Sequence, residues 1–97
     1  MSRGEHAHKT CSQFLMCPHG TFDVEVKDGI NSKTFKLENP ALGLLVPPLI
    51  WSIQKNYSRS AVCLVLASEE YSQDEYIHSF QELLAIRETS EELRSSE

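Results

Sequence analysis

The sequence predicts an all-β domain, a small barrel or sandwich, with a single α-helix laid against it at the C-terminal end. Phe22, Val24 and Val26 alternate with Asp23, Glu25 and Lys27, the period of two that marks a half-buried strand. Asp28-Gly29 then signals a hairpin, and "SKTFKLE" returns with Phe35 and Leu37 on one face, so residues 21–38 read as an antiparallel pair. After Ser72 the period changes. Tyr76, Ile77, Phe80, Leu83, Leu84 and Arg87 recur at intervals of three and four, which predicts an amphipathic helix over 73–88.

The other elements follow from local chemistry. "QFLMC", from Gln13, is an apolar strand that stops at "PHG", where Pro18 and Gly20 punctuate the chain. Pro40, Gly43, Pro47 and Pro48 in "NPALGLLVPP" exclude a long helix and leave a short strand between turns. Val62 to Leu66 is apolar on both faces and is expected in the middle of a packed sheet. Ser72 and Glu75 form a capping box at the helix start, with Asp74 and Glu75 at the positive end of the helix dipole. Residues 89–97 are a polar, frayed tail, so the expected domain is 1–88.

Nine Lys and Arg against fourteen Asp and Glu give a net charge of −5, with no basic stripe to track a phosphate backbone, so nucleic acid is not an expected partner. Neither "ALGLLVPPLIW" nor "AVCLVLA" approaches the roughly 20 apolar residues needed to span a bilayer. Cys11, Cys17 and Cys63 are an odd set without a CxxC pair, and no secretion-type start precedes them, which points to reduced thiols and a cytoplasmic protein.

"RGEHAHK" places His6 and His8 one residue apart. In an extended chain both imidazoles project from one face while Ala7 points away. The pair alone fits a surface strand, a metal site or an acid–base pair. Its surroundings resemble the two cupin motifs. His6, His8, Gln13 and Gly20 stand at the places of the first motif, and Gly43, Pro47, Ser52 and Asn56 at those of the second. Gln13 and Ser52 replace the acid and the third histidine that bind metal in other cupins. A neutral amide and a hydroxyl are poor ligands beside carboxylate and imidazole, so no metal is expected.

Within that superfamily, "RGEHAHK", "GLLVPPLIW" and "LVLASEEYSQDEYIHSFQEL" together resemble the nucleotide-sugar 3,4-ketoisomerases. These enzymes convert dTDP-4-keto-6-deoxyglucose to a 3-keto sugar. The resemblance implies a cupin jelly roll (a double-stranded β-helix), a homodimer, a dTDP-linked keto-deoxysugar as partner, and no cofactor. It also implies catalytic roles for His6 and His8, with Arg3, Gln13 and Trp51 near the same pocket. Moving a ketone from C4 to C3 needs a base at C3 and a proton donor at C4, and imidazole suits both because its pKa of about 6.5 lies near working pH. His6 is the expected base and His8 its partner. For Trp51 the ordinary role of a tryptophan, a buried core aromatic, is the default.

Family members carry about forty more residues before the histidine motif, so the resemblance implies an N-terminally shortened cupin. The expected consequence is an unpaired sheet edge beside the histidines, open to a second chain. Two alternatives accompany the isomerase reading: a non-catalytic cupin module that binds sugar nucleotide or another subunit, and a metal-dependent cupin enzyme.

Overall fold

The computed structural model describes residues 3–70 and 73–95, with side chains described over 5–70 and 74–88. Among the described residues eight strands precede one helix: β1 Arg3–His8, β2 Gln13–His19, β3 Phe22–Lys27, β4 Ser32–Leu37, β5 Gly43–Val46, β6 Trp51–Lys55, β7 Val62–Ala67, β8 Tyr76–Ile77 and α1 Phe80–Ser95. They form a five-stranded sheet in the order β4-β3-β6-β1-β8 and a three-stranded sheet in the order β5-β2-β7. Every pairing is antiparallel. The expected all-β jelly roll with one C-terminal helix is the observed architecture.

The predicted hairpin forms with Phe22 opposite Leu37 and Lys27 opposite Ser32. Its turn is closed by the Asp28 carboxylate, whose Oδ1 accepts the N–H groups of Ile30 and Asn31 at 2.8 and 2.7 Å. Gly29 supplies the left-handed conformation there, at φ 101°. An Asx-type bond of this kind is why Asp-Gly is a turn signal.

Two cores result from the alternation of side chains across each strand. Leu15, Cys17 and Val46 from the three-stranded sheet meet Phe22, Val24 and Leu37 from the five-stranded sheet and fill the space between them. On the opposite face of the larger sheet, Ala7, Trp51 and Ile77 pack against Leu83 of α1.

Two expectations need correction. The helix begins at Phe80 rather than at 73 and continues to Ser95. The segment holds two Ser-x-x-Glu signals, and the second is the one the helix uses. Ser79 Oγ accepts the Glu82 N–H at 3.4 Å and the Ser79 carbonyl accepts the Leu83 N–H at 3.1 Å. Ser72 of the first signal lies outside the described residues. Glu75 instead ends a 3-10 turn, Gln73–Glu75, and Tyr76 and Ile77 pair with His8 and Ala7.

The second correction concerns β7. It lies at the edge of the three-stranded sheet, paired only with β2 among the described residues. Leu64 and Leu66 remain 46% and 55% exposed. A strand apolar on both faces announces burial on both faces, but among the described residues its outer face is uncovered.

Candidate active site

β1 turns Ala7 toward α1 and both histidines into the space between the sheets. Across from His6 on β6 stands Ser52, only 2% exposed. Tyr76 lies opposite His8 on β8, and Gln13 enters from the facing sheet on β2, close enough to both imidazoles to favour their charged forms. The His6 and His8 ring centroids are 5.0 Å apart at 77°. The Tyr76 ring lies 4.5 Å from His8 and 5.1 Å from His6, and His78 stacks on it at 5.6 Å.

The backbone around His8 is tied down. Its carbonyl accepts the Leu49 N–H at 2.8 Å. Leu49 holds a left-handed conformation, φ 63°, which costs a non-glycine residue about 1–3 kcal/mol and persists only where neighbours enforce it. The enforcing neighbour is Arg87 of α1, whose guanidinium donates to the Leu49 carbonyl. The helix thereby braces the strand that carries the histidines.

His6 Nε2 and both ring nitrogens of His8 are buried with no hydrogen-bond partner in the protein. An unsatisfied buried polar group costs about 1–3 kcal/mol, and a site that leaves three of them together is arranged for a polar molecule that arrives from outside. Burial lowers the pKa of both rings below the ordinary 6.5. For His6 the neighbouring His8, and more weakly His78, push further down against a raising contribution from Gln13. For His8 the contributions of Glu75, Gln13 and Glu69 oppose the burial.

Because both folded-state pKa values lie below 6.5, the unfolded chain binds more protons than the folded one as pH falls through that value. Stability is therefore expected to decline with acidification from about pH 6.5 down to the folded pKa values, and His6→Asn should flatten that decline. Urea midpoints collected between neutral and mildly acidic pH measure both.

The sequence-predicted site residues divide cleanly. His6, His8 and Gln13 converge. Trp51 does not: it lies on the opposite face of the sheet, buried 5.7 Å from the Phe80 ring in the core beneath α1, because residues 51 and 52 alternate and Ser52 takes the inner face. The buried-aromatic default, rather than the pocket position, describes it. Arg3 belongs to β1, but its side chain lies outside the described residues. Tyr76 and Glu75 were missed as site residues because helical spacing claimed them; the second Ser-x-x-Glu pair was the signal that would have released them. Among the described residues no group of three or more His, Cys, Asp or Glu is placed to share a metal ion, and Gln13 and Ser52 occupy the positions where further ligands would stand.

Comparison with known proteins agrees with this geometry. A family model described as "FdtA: WxcM-like, C-terminal" matches residues 1–88. The TDP-4-oxo-6-deoxy-α-D-glucose-3,4-oxoisomerase of Aneurinibacillus thermoaerophilus is 38% identical over 78 residues, which are 80% of this chain and 56% of that protein. The sugar 3,4-ketoisomerase QdtA of Thermoanaerobacterium thermosaccharolyticum, solved in complex with TDP, superposes with a TM-score of 0.89 at 31% identity, over 93% of this chain and 66% of that one. A 3,4-ketoisomerase from Helicobacter canadensis gives a TM-score of 0.85 at 37% identity, over 89% and 65%. The chain thus spans little more than half the length of the curated relative it matches. With the motif, the fold and the convergent histidines in agreement, the chain belongs to the family described as FdtA: WxcM-like, C-terminal.

Proposed function

We propose that this chain carries the catalytic half of a sugar-nucleotide 3,4-ketoisomerase, acting on dTDP-4-keto-6-deoxyglucose without a metal or other cofactor. The observation that carries the reading is the pair of imidazoles, 5.0 Å apart, with three buried nitrogens awaiting a partner. A ketone at C4 acidifies the proton on C3. His6 removes that proton, the enediol or enediolate forms, and His8 delivers a proton to C4. Burial keeps His6 neutral near pH 7, as a base must be. The Gln13 amide, and a protonated imidazole, supply donors to the developing oxyanion. The same relatives whose names carry this activity supply the substrate class.

The homodimer belongs to the same reading. Phe14 lies between Leu45 and Leu66, and Met16 between Gly43 and Leu64, in the cross-strand register of β5-β2-β7. These residues form one continuous apolar outer face on which Leu45, Leu64 and Leu66 are 62%, 46% and 55% exposed. A patch of this kind marks an interface rather than a wetted surface. Three free cysteines and the absence, among the described residues, of a helix long and apolar enough to cross a membrane support a cytoplasmic enzyme.

Incubation with dTDP-4-keto-6-deoxyglucose, followed by NMR, should show the 3-keto product accumulating. Binding of the sugar nucleotide without turnover would replace the enzyme reading by that of a non-catalytic module. Sedimentation velocity should give a dimer that Leu64→Lys together with Leu66→Lys converts to monomer; a wild-type monomer that turns over would remove the dimer from the proposal.

A further inference from the structure

The two histidines share a face and a pocket, yet their electrostatic surroundings have opposite sign. His6 faces His8 on its own strand and, more weakly, His78 beyond β8. His8 faces Glu75 from the 3-10 turn and Glu69 from the segment after β7, with the Tyr76 ring across the strand and the neutral Gln13 from the other sheet. Of the two carboxylates Glu75 has the larger influence on His8, and its position is fixed by hydrogen bonds.

Glu75 Oε1 accepts the backbone N–H groups of Thr10 and Cys11 at 2.5 and 2.6 Å, and Oε2 accepts the Thr10 hydroxyl at 3.0 Å. Its own carbonyl accepts the Lys9 N–H at 3.0 Å. One residue therefore closes the turn that follows His8 and, through the next residue, sets Tyr76 against the His8 ring. Burial acts to raise the Glu75 pKa, but the two amides, the hydroxyl and His8 outweigh it and keep the carboxyl below the ordinary range, so the negative charge is present at neutral pH.

We propose that Glu75 is the positioning residue of the histidine pair, a fixed anion that latches the turn after His8 and biases the pair so that His8 takes up a proton before His6 does. This deepens the isomerase reading and rests on it for its catalytic meaning: burial lowers both rings, and the carboxylate keeps His8 the more readily protonated of the two, the order that a base at C3 and a donor at C4 require. The division of labour is built by a residue that need not touch the sugar.

Glu75→Gln is the discriminating variant. Its Oε1 retains both backbone bonds, and its amide donates to the Thr10 hydroxyl, which itself remains free to donate to Glu69 Oε2 at 2.9 Å; only the charge is lost. Imidazole NMR titration of the labelled full chain needs no turnover, so an inactive enzyme leaves the test standing. In the wild type His8 is expected to protonate at higher pH than His6. In Glu75→Gln the His8 midpoint should move to lower pH with Tm nearly unchanged. Glu75→Asp keeps the charge on a shorter stem; it should lower Tm yet hold the His8 midpoint close to wild type, and it decides the matter if the Gln variant does not fold. A His8 titration that coincides in wild type and Glu75→Gln, or one displaced equally by Asp and Gln, overturns the proposal. In an active chain the alkaline limb of the pH–rate profile, where the donor loses its proton, should follow His8, and the acid limb should follow His6.

Discussion

Replacing His6 by asparagine should reduce 3,4-isomerisation by about 10²–10⁴-fold, the usual contribution of a positioned general base. Asparagine fills much of the imidazole's space and keeps a polar edge in the pocket, so the fold should survive, while the proposed base at C3 is gone. The reaction offers an internal check. In deuterated water the wild type should exchange the C3 proton of the substrate as it turns over, and His6→Asn should lose exchange and product together. His8→Asn should separate them, because a base remains at C3 when the donor at C4 is removed: exchange continues while product formation falls. Normal turnover in His6→Asn, or loss of exchange only in His8→Asn, would show the roles to be reversed or shared.

Phe22→Ala should be the most damaging single change to stability. Phe22 is completely buried, the largest such side chain in the core between the sheets, and it stacks on Tyr57 with centroids 5.1 Å apart at 22°. Phe-to-Ala changes in cores cost about 3–5 kcal/mol because the lost transfer energy is joined by an unfilled cavity. A domain of this size has a total stability of about 5–15 kcal/mol, so the variant should fall to the edge of folding. Chemical denaturation compared with Phe35→Ala, at a half-buried position on the adjacent strand, measures the difference. Similar midpoints for the two variants would mean that the sheets are not packed through Phe22.

How much of this was legible in the sequence depends on whether the signal was local. The Asp28 turn and the β3–β4 hairpin were readable because the Asx bonds, the glycine and the alternation all lie within one short stretch. The convergence of His6 and His8 followed from strand geometry alone, and their meaning came from the family resemblance. Gln13 was placed by motif position. Trp51 and Ser52 could be assigned to faces only once β6 was known to pair with β1, since alternation fixes relative orientation but not which face is inner. Tyr76 was lost because a two-residue strand has no period of its own and borrows that of the helix beside it. The apolar run of β7 pointed to the middle of a packed sheet, but it lies at an edge with Leu64 and Leu66 exposed, because apolarity on both faces does not fix a strand's place in the sheet order.

The bracing of His8 by Leu49 and of Leu49 by Arg87 bears on how the chain matures on the ribosome. β1 emerges before either of its sheet neighbours, β6 and β8, and well before the helix that carries Arg87. Contacts so distant along the chain pay their loop-closure entropy late and fold slowly. The nascent strand bearing both imidazoles must therefore wait, unpaired, until β6 and β8 have been made, and a stop ahead of α1 would release a product whose β1 lacks its brace.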